Sequence, residues 1–288
     1  MLLSFAHPDD ETFTCGMTVA KYARSGWDVR LICATLGEKG KTGPYEHVLG
    51  NALGSVRKSE LEKSSDILGI GQIMHLGYKD GRLKDTEQGE LEDVLYKKMI
   101  EFAPDIVITF DPTGITNNPD HIRISFSTTY AYQKYTTELA QARDFVDRAN
   151  KGDPDLKKRH FAMKHKVALK SETFTDAVAE TGVPKLYYAV LPESVVDHFV
   201  RTGTFAREMF GKPFKGTPDR KITTVIDGTR FFGKKYEALK TYASQSEDAD
   251  AYLSATVGDK RKQEYFLLRM SGTQEVYMSD HERIADRL

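Results

Sequence analysis

The sequence predicts an α/β protein with a Rossmann-like, doubly wound and mostly parallel sheet, on three observations. Short apolar runs alternate with helical patterns through the first half of the chain, the rhythm of repeated strand-helix-strand units. Two of those runs, at residues 2–6 and 106–110, lead into clusters of chemistry-bearing side chains, where an open parallel sheet keeps its ligand site. The 288 residues, 40% of them hydrophobic, suffice to fill one large core.

Residues 2–6 form the first strand, and Pro8 keeps His7 extended at its end, because a residue before proline avoids the helical region. A helix follows over residues 12–25, with Glu11 at its opening, where the helix dipole favours a carboxylate. Residues 29–35 are the second strand, 56–68 a helix, 73–76 a strand, 91–102 a helix and 106–110 a strand, each assigned on its apolar run or helical spacing. Another helix begins near His121. From about Thr136 to Gly182 the pattern turns polar and helical, with Lys157-Lys158-Arg159-His160, and reads as a helical insertion or lid, in its blander form a solvated excursion. Strand pattern returns at 185–191 and 222–226, and 231–244 reads as a helix packing back on the sheet, a C-terminal strand-helix extension. With no internal repeat or long linker, residues 1–288 read as a single domain with 136–182 inserted into it.

The 41 basic and 42 acidic residues leave a net charge of -1, so no overall field favours nucleic acid or an anionic membrane. No apolar run approaches the roughly 20 residues that span a bilayer, and Met1 leads straight into strand pattern. A cytoplasmic protein acting on a small molecule is the expectation, its oligomeric state open, a homo-oligomer included. Cys15 and Cys33 are too few for a disulfide framework and read as buried fillers.

The chemistry concentrates in Ala6-His7-Pro8-Asp9-Asp10-Glu11 and Asn117-Asn118-Pro119-Asp120-His121. Taken alone, the first cluster could be a helix N-cap. If strand 106–110 lies beside strand 2–6, the crevice between their carboxyl ends brings both clusters together. His7, Asp10 and His121 would then offer two imidazoles and one carboxylate, and three protein ligands with a fourth position for water is the pattern of catalytic zinc. Such a site suits hydrolysis of an amide or ester. Asp9, between two ligands, is placed to act as the general base, and Asp120 to orient a ligand imidazole from behind.

These motifs, with Thr35-Leu36-Gly37-Glu38, Arg57-Lys58-Ser59-Glu60-Leu61 and Pro104-Asp105-Ile106-Val107 between them, resemble in order those of the LmbE-like, or PIG-L type, N-acetylglucosaminyl deacetylases. The resemblance covers roughly the first 130 residues well. Pro184-Lys185-Leu186-Tyr187-Tyr188 and Lys235-Tyr236-Glu237-Ala238-Leu239 extend it weakly towards the mycothiol-pathway branch. It implies a Rossmann-like fold, zinc on His7, Asp10 and His121, Asp9 as base, and removal of an N-acetyl group from a glucosamine-containing small molecule. Fe2+ or another divalent ion could use the same ligands. Arg57 and Asp80 match positions where relatives hold the sugar or its aglycone, and Tyr242, near a position where relatives carry His, is expected to face the substrate. One departure stands out. Family members commonly read His-Pro-Asp-His at the second cluster, the first His steadying the oxyanion; here that residue is Asn118, with Thr116 where the mycothiol branch often has Tyr. An Asn amide can donate to an oxyanion but cannot be a cationic acid, so Asn118 in that role implies slower turnover or a different substrate. The alternative is a metal-dependent sugar-binding or regulatory protein with impaired catalysis.

Thr35-Leu36-Gly37-Glu38-Lys39-Gly40-Lys41-Thr42 is one residue short of a phosphate-binding loop, since Thr35 stands where the first Gly should be. It reads instead as a mobile glycine-rich loop beside the crevice, able to close over substrate. Tyr130, Tyr132 and Tyr135 read as core and rim.

Overall fold

A computed structural model of the chain describes residues 1–153, 171–180, 182–257, 262–276 and 285–288. Its central strand β1 (Leu2–Phe5) pairs in parallel with β2 (Arg30–Thr35) on one side, and β2 in turn with β3 (Gln72–Tyr78). On its other side β1 pairs with β4 (Ile106–Phe110), and β4 with β5 (Lys185–Val190), again in parallel. The order β3-β2-β1-β4-β5 reverses direction at β1 and β4, as the sequence predicts, and leaves a crevice at their carboxyl ends. Every residue of β1 and β4 is buried, which is why both read as unbroken apolar runs and not as alternating strands.

Helices cover both faces. One layer holds α1 (Asp10–Arg24) and α2 (Asn51–Leu68); the other holds α3 (Glu90–Phe102) and, after the single turn α4 (Gly114–Asn117), the long helix α5 (Pro119–Asn150). Residues 136–150, assigned from the sequence to a polar insertion, continue α5 and bury Thr136, Leu139 and Ala142. The next helix, α6 (Glu172–Ala179), sets Phe174 edge-on against Tyr135. The hydroxyls of Ser171 and Thr173 donate to the carbonyls of Ile100 and Glu101 at the end of α3. The described part of 136–182 therefore sits at the amino end of the sheet and does not cover the crevice, so the lid expectation is corrected there. Charged residues along the solvent side of α5 masked its buried stripe. Lys157-Lys158-Arg159-His160 lies outside the described residues.

After β5 come α7 (Glu193–Arg201) and a small hairpin of β6 (Glu208–Met209) and β7 (Lys212–Pro213), then β8 (Thr224–Asp227), α8 (Phe232–Thr241) and α9 (Ser246–Val257). Strand β9 (Gln263–Ser271) closes the sheet, running antiparallel to β5, to β8 and to the short β10 (Gln274–Glu275). Helix α8 packs on α1 and α2. Inside α1 the helix breaks at Cys15 (φ -142°, ψ 22°). The break strands two amides, and the buried Glu264 carboxylate accepts them, Met17 N at 3.0 Å and Thr18 N at 2.7 Å. Lys235 Nζ closes the group at 2.9 Å from Glu264 and 2.8 Å from the Phe13 carbonyl. Among the described residues, no helix is long and apolar enough to cross a membrane.

Candidate metal centre

The turn leaving β1 is built around Asp9, which sits in the left-handed region (φ 101°, ψ -28°), a strained conformation for a side chain with a Cβ. Its carbonyl accepts the amides of Thr12 and Phe13 and so opens α1, but its carboxylate caps nothing. The Asp10 carboxylate folds back instead, its Oδ2 accepting Ala6 N at 3.1 Å and His7 N at 2.8 Å. The capping role is thus carried by main chain, and both carboxylates are released to the crevice.

The other half of the site is equally constrained. Between β4 and α5 the loop holds Gly114, Ile115 and Asn117 at positive φ (64°, 60° and 63°), with the Asp111 carboxylate accepting Ile115 N. Asn118 Oδ1 caps α5 through Asp120 N at 2.9 Å, which leaves its amide nitrogen without a partner among the described residues, on the cavity wall. His121 then falls in the first turn of α5, its ring stacked 4.1 Å from Phe110 and its Nδ1 3.1 Å from the Gly114 carbonyl. A Cβ on Gly114 would lie 2.6 Å from His121 Cβ, and its φ is one that side chains resist. Gly114→Ala is therefore expected to weaken metal affinity by about 10- to 100-fold, the range for a lost ligand-orienting contact. A chelator competition titration measures it, and an unchanged affinity would show that the loop yields without moving His121.

Across the β1/β4 crevice, His7 Nδ1 lies 3.1 Å from His121 Nε2 and 3.6 Å from Asp10 Oδ2, and His121 Nε2 lies 3.3 Å from Asp10 Oδ1. Bonds of about 2.1 Å to a tetrahedral ion put its ligand atoms about 3.4 Å apart, so these side chains fit one. Each imidazole already has an acceptor for its other nitrogen. For His7 Nε2 it is Asp80 Oδ1 at 3.1 Å, with Asp120 Oδ2 at 3.6 Å; for His121 Nδ1 it is the Gly114 carbonyl. These acceptors leave His7 Nδ1 and His121 Nε2 as the nitrogens that face each other, a gap that a proton or a metal cation can occupy. Burial opposes charge at His7, yet Asp10, Asp120 and Asp80 raise its pKa well above the ordinary imidazole value. Burial likewise opposes the Asp10 carboxylate, but His121 and His7 hold it well below the usual range.

Of the three residues expected to hold substrate, Arg57 and Asp80 line the cavity while also bonding to protein groups, and Tyr242 does not line it. Asp80 is buried, with one oxygen on His7 and the other accepting Lys39 N at 2.9 Å, so it orients a ligand imidazole more closely than Asp120 does. The Asp120 carboxylate also accepts Gly81 N and Leu83 N. Arg57 spends its guanidinium on the Gly37 carbonyl, the Pro8 carbonyl and Asp9 Oδ2, at 2.8, 2.6 and 2.9 Å. Tyr242 is fully buried, its hydroxyl donating to Glu11 Oε1 at 2.6 Å, and it does not line the cavity. The glycine-rich loop packs on Arg57, where a Cβ on Gly37 or Gly40 would strike the guanidinium, and its Lys41 meets Asp248 at 2.8 Å.

Asp9 reaches the cavity beside the ligand set, and burial raises its carboxyl well above the ordinary carboxylate value, against the pull of Arg57. The cavity holds about 860 Å³, near the upper end of the roughly 300–1,000 Å³ common for small-molecule sites. Its lining includes Lys39, Lys84 and Asn118 and a wall of Phe199, Phe205, Met209, Phe210 and Phe214. The sequence reading missed that wall. The density of Phe between residues 199 and 214 is the only signal that pointed there.

The family pattern described as PIG-L, GlcNAc-PI de-N-acetylase, matches residues 2–132. The chain is 30% identical over 285 residues to 1D-myo-inositol 2-acetamido-2-deoxy-alpha-D-glucopyranoside deacetylase 2 of Saccharopolyspora erythraea, covering 90% of this chain and 89% of that one. Among solved structures it resembles N,N'-diacetylchitobiose deacetylase from Pyrococcus horikoshii, with 21% identity, TM-score 0.57 and coverage of 94% of this chain and 84% of that one. The 4-carboxy-2-hydroxymuconate hydratase from Pseudomonas putida KT2440 matches with TM-score 0.57 at 18% identity, over 96% of this chain and 98% of that one. A deacetylase and a hydratase on one fold leave the reaction to be argued from the site.

Proposed function

The chain belongs to the PIG-L, or LmbE-like, deacetylase family, and from that premise we propose that it is a metal-dependent hydrolase removing an N-acyl group, acetyl in its relatives' names, from an amino-sugar-containing small molecule. The observation that supports this best is the convergence of His7 Nδ1 and His121 Nε2 to 3.1 Å, with Asp10 beside them and both outer nitrogens already engaged. Zinc is the ion this reading puts there, with Fe2+ or another divalent metal as the variant. When bound, such an ion polarises an amide carbonyl and acidifies a water.

The remaining steps fall to the chain's own groups. Asp9 takes a proton from the attacking water and returns it to the leaving nitrogen, and the Arg57 guanidinium holds that carboxylate in place. Asn118 Nδ2 donates to the carbonyl oxygen as negative charge builds on it. Asp80 and Asp120 keep His7 presenting Nδ1. Acetate and a free amino sugar leave.

His121→Ala is the direct test. It is expected to bring stoichiometric metal binding below detection and to abolish amine release from N-acetylglucosamine conjugates, read by metal analysis and a fluorescamine assay. A His121→Ala protein that keeps its metal and its turnover would sink the proposal. A wild-type protein that binds N-acetylated sugars without releasing amine would instead favour the binding-protein alternative that Asn118 and Thr116 raise.

A further inference from the structure

Proton delivery by Asp9 fixes which way an amide lies in the cavity, and the wall opposite then bears on the group being removed. We infer that this site prefers an acyl group larger and more apolar than acetyl, an aliphatic or aryl chain seated against the phenylalanine wall; this rests on the hydrolase reading above and refines its substrate.

The nitrogen of a cleaved amide must gain a proton, so it lies next to Asp9. That carboxylate is paired with Arg57 of α2, on the β1–β2 side of the crevice. The sugar therefore lies on that side, where Lys39, Lys84 and the Gly81 backbone line the cavity and can meet hydroxyl groups. The acyl carbon carries its substituent the other way, past Ile115 towards Val190 and Leu191 at the carboxyl end of β5. There the wall is built and anchored. Phe199 and Phe214 are each only 6% exposed, and Phe205 meets both edge to face, at 5.1 and 5.6 Å between ring centres. Phe210, 61% exposed, forms the rim. Asn117 Nδ2 donates to the Pro213 carbonyl at 3.2 Å, tying the hairpin to the loop that positions His121. An acetyl methyl would leave most of this apolar surface facing water, whereas a longer chain covers it.

The test uses the full chain loaded with zinc and a series of methyl glucosaminides N-acylated with acetyl, butanoyl, hexanoyl or benzoyl groups, alongside N-acetyl sugars with alkyl aglycones. Full burial gives about fourfold per methylene, so kcat/KM is expected to rise at least tenfold from acetyl to hexanoyl. Phe205→Ala and the surface variant Phe210→Ala should each cut the hexanoyl-to-acetyl ratio at least threefold. Acetyl as the best acyl group would overturn the inference. So would a ratio untouched by both variants, or a gain found only with alkyl aglycones, which would place the sugar on the apolar side. Amine release from none of these amides, with metal bound, would remove the hydrolase reading itself.

Discussion

Asp9→Asn is expected to lower kcat for amide hydrolysis by about 10²- to 10⁴-fold, the contribution of a positioned general base, while metal content stays stoichiometric. Asn suits the test better than Ala for a conformational reason. Residue 9 sits at φ 101°, which Asn tolerates and Ala resists, so the turn that carries His7 and Asp10 is retained. An amide oxygen can still accept from Arg57 Nη2, now 2.9 Å from the carboxylate, but the side chain can no longer take up a proton at working pH. Steady-state kinetics beside metal analysis separates the two functions. Full activity in Asp9→Asn would remove it as the base, and loss of metal would show that its charge holds the ligand set together.

The second large effect concerns stability. Lys235→Met is expected to destabilise the fold by about 3–5 kcal/mol, the cost of breaking a buried ion pair from one side. Lys235 is fully buried against Glu264 and also lies 4.9 Å from the Tyr252 ring centre, so its loss strands a carboxylate that keeps, among the described residues, the Met17 and Thr18 amides. Burial opposes the charge on Lys235, but Glu264 raises its pKa above the ordinary lysine value, and the cation persists throughout the usable pH range. Urea unfolding of the two proteins measures this, and a loss within about 0.5 kcal/mol, the range of an exposed substitution, would show that the buried carboxylate does not need the cation.

What could be read in the sequence tracks how local each feature is. His7, Asp10 and His121 were legible because each follows a buried apolar strand by a short turn, and strand order then sets them face to face. The protein-bonded roles of Arg57, Asp80 and Tyr242 were not legible, because a charged or phenolic side chain reads alike whether it meets ligand or protein. Their burial comes from partners remote in sequence: Glu11 for Tyr242, across 231 residues, and Pro8 for Arg57, across 49. Strand β9 was missed for a related reason. Its alternating burial arises from pairing with β5 and β8, neither of which adjoins it in the chain. Beyond Phe199 in α7, the wall has no helical or strand period to find, being two short strands and turns whose shape depends on contacts such as Asn117 to Pro213.

His7 and His121 are separated by 114 residues and belong to different halves of the sheet. An ion shared between them is therefore a noncovalent cross-link closing a long loop, one that unfolding must open. Since the unfolded chain holds no preformed cage, added zinc should raise the unfolding free energy, and with it the thermal midpoint, in proportion to the logarithm of its concentration, by about 2.7 kcal/mol at a hundredfold excess over Kd. On the proposed function, depleting the metal would lower resistance to heat and proteolysis together with turnover.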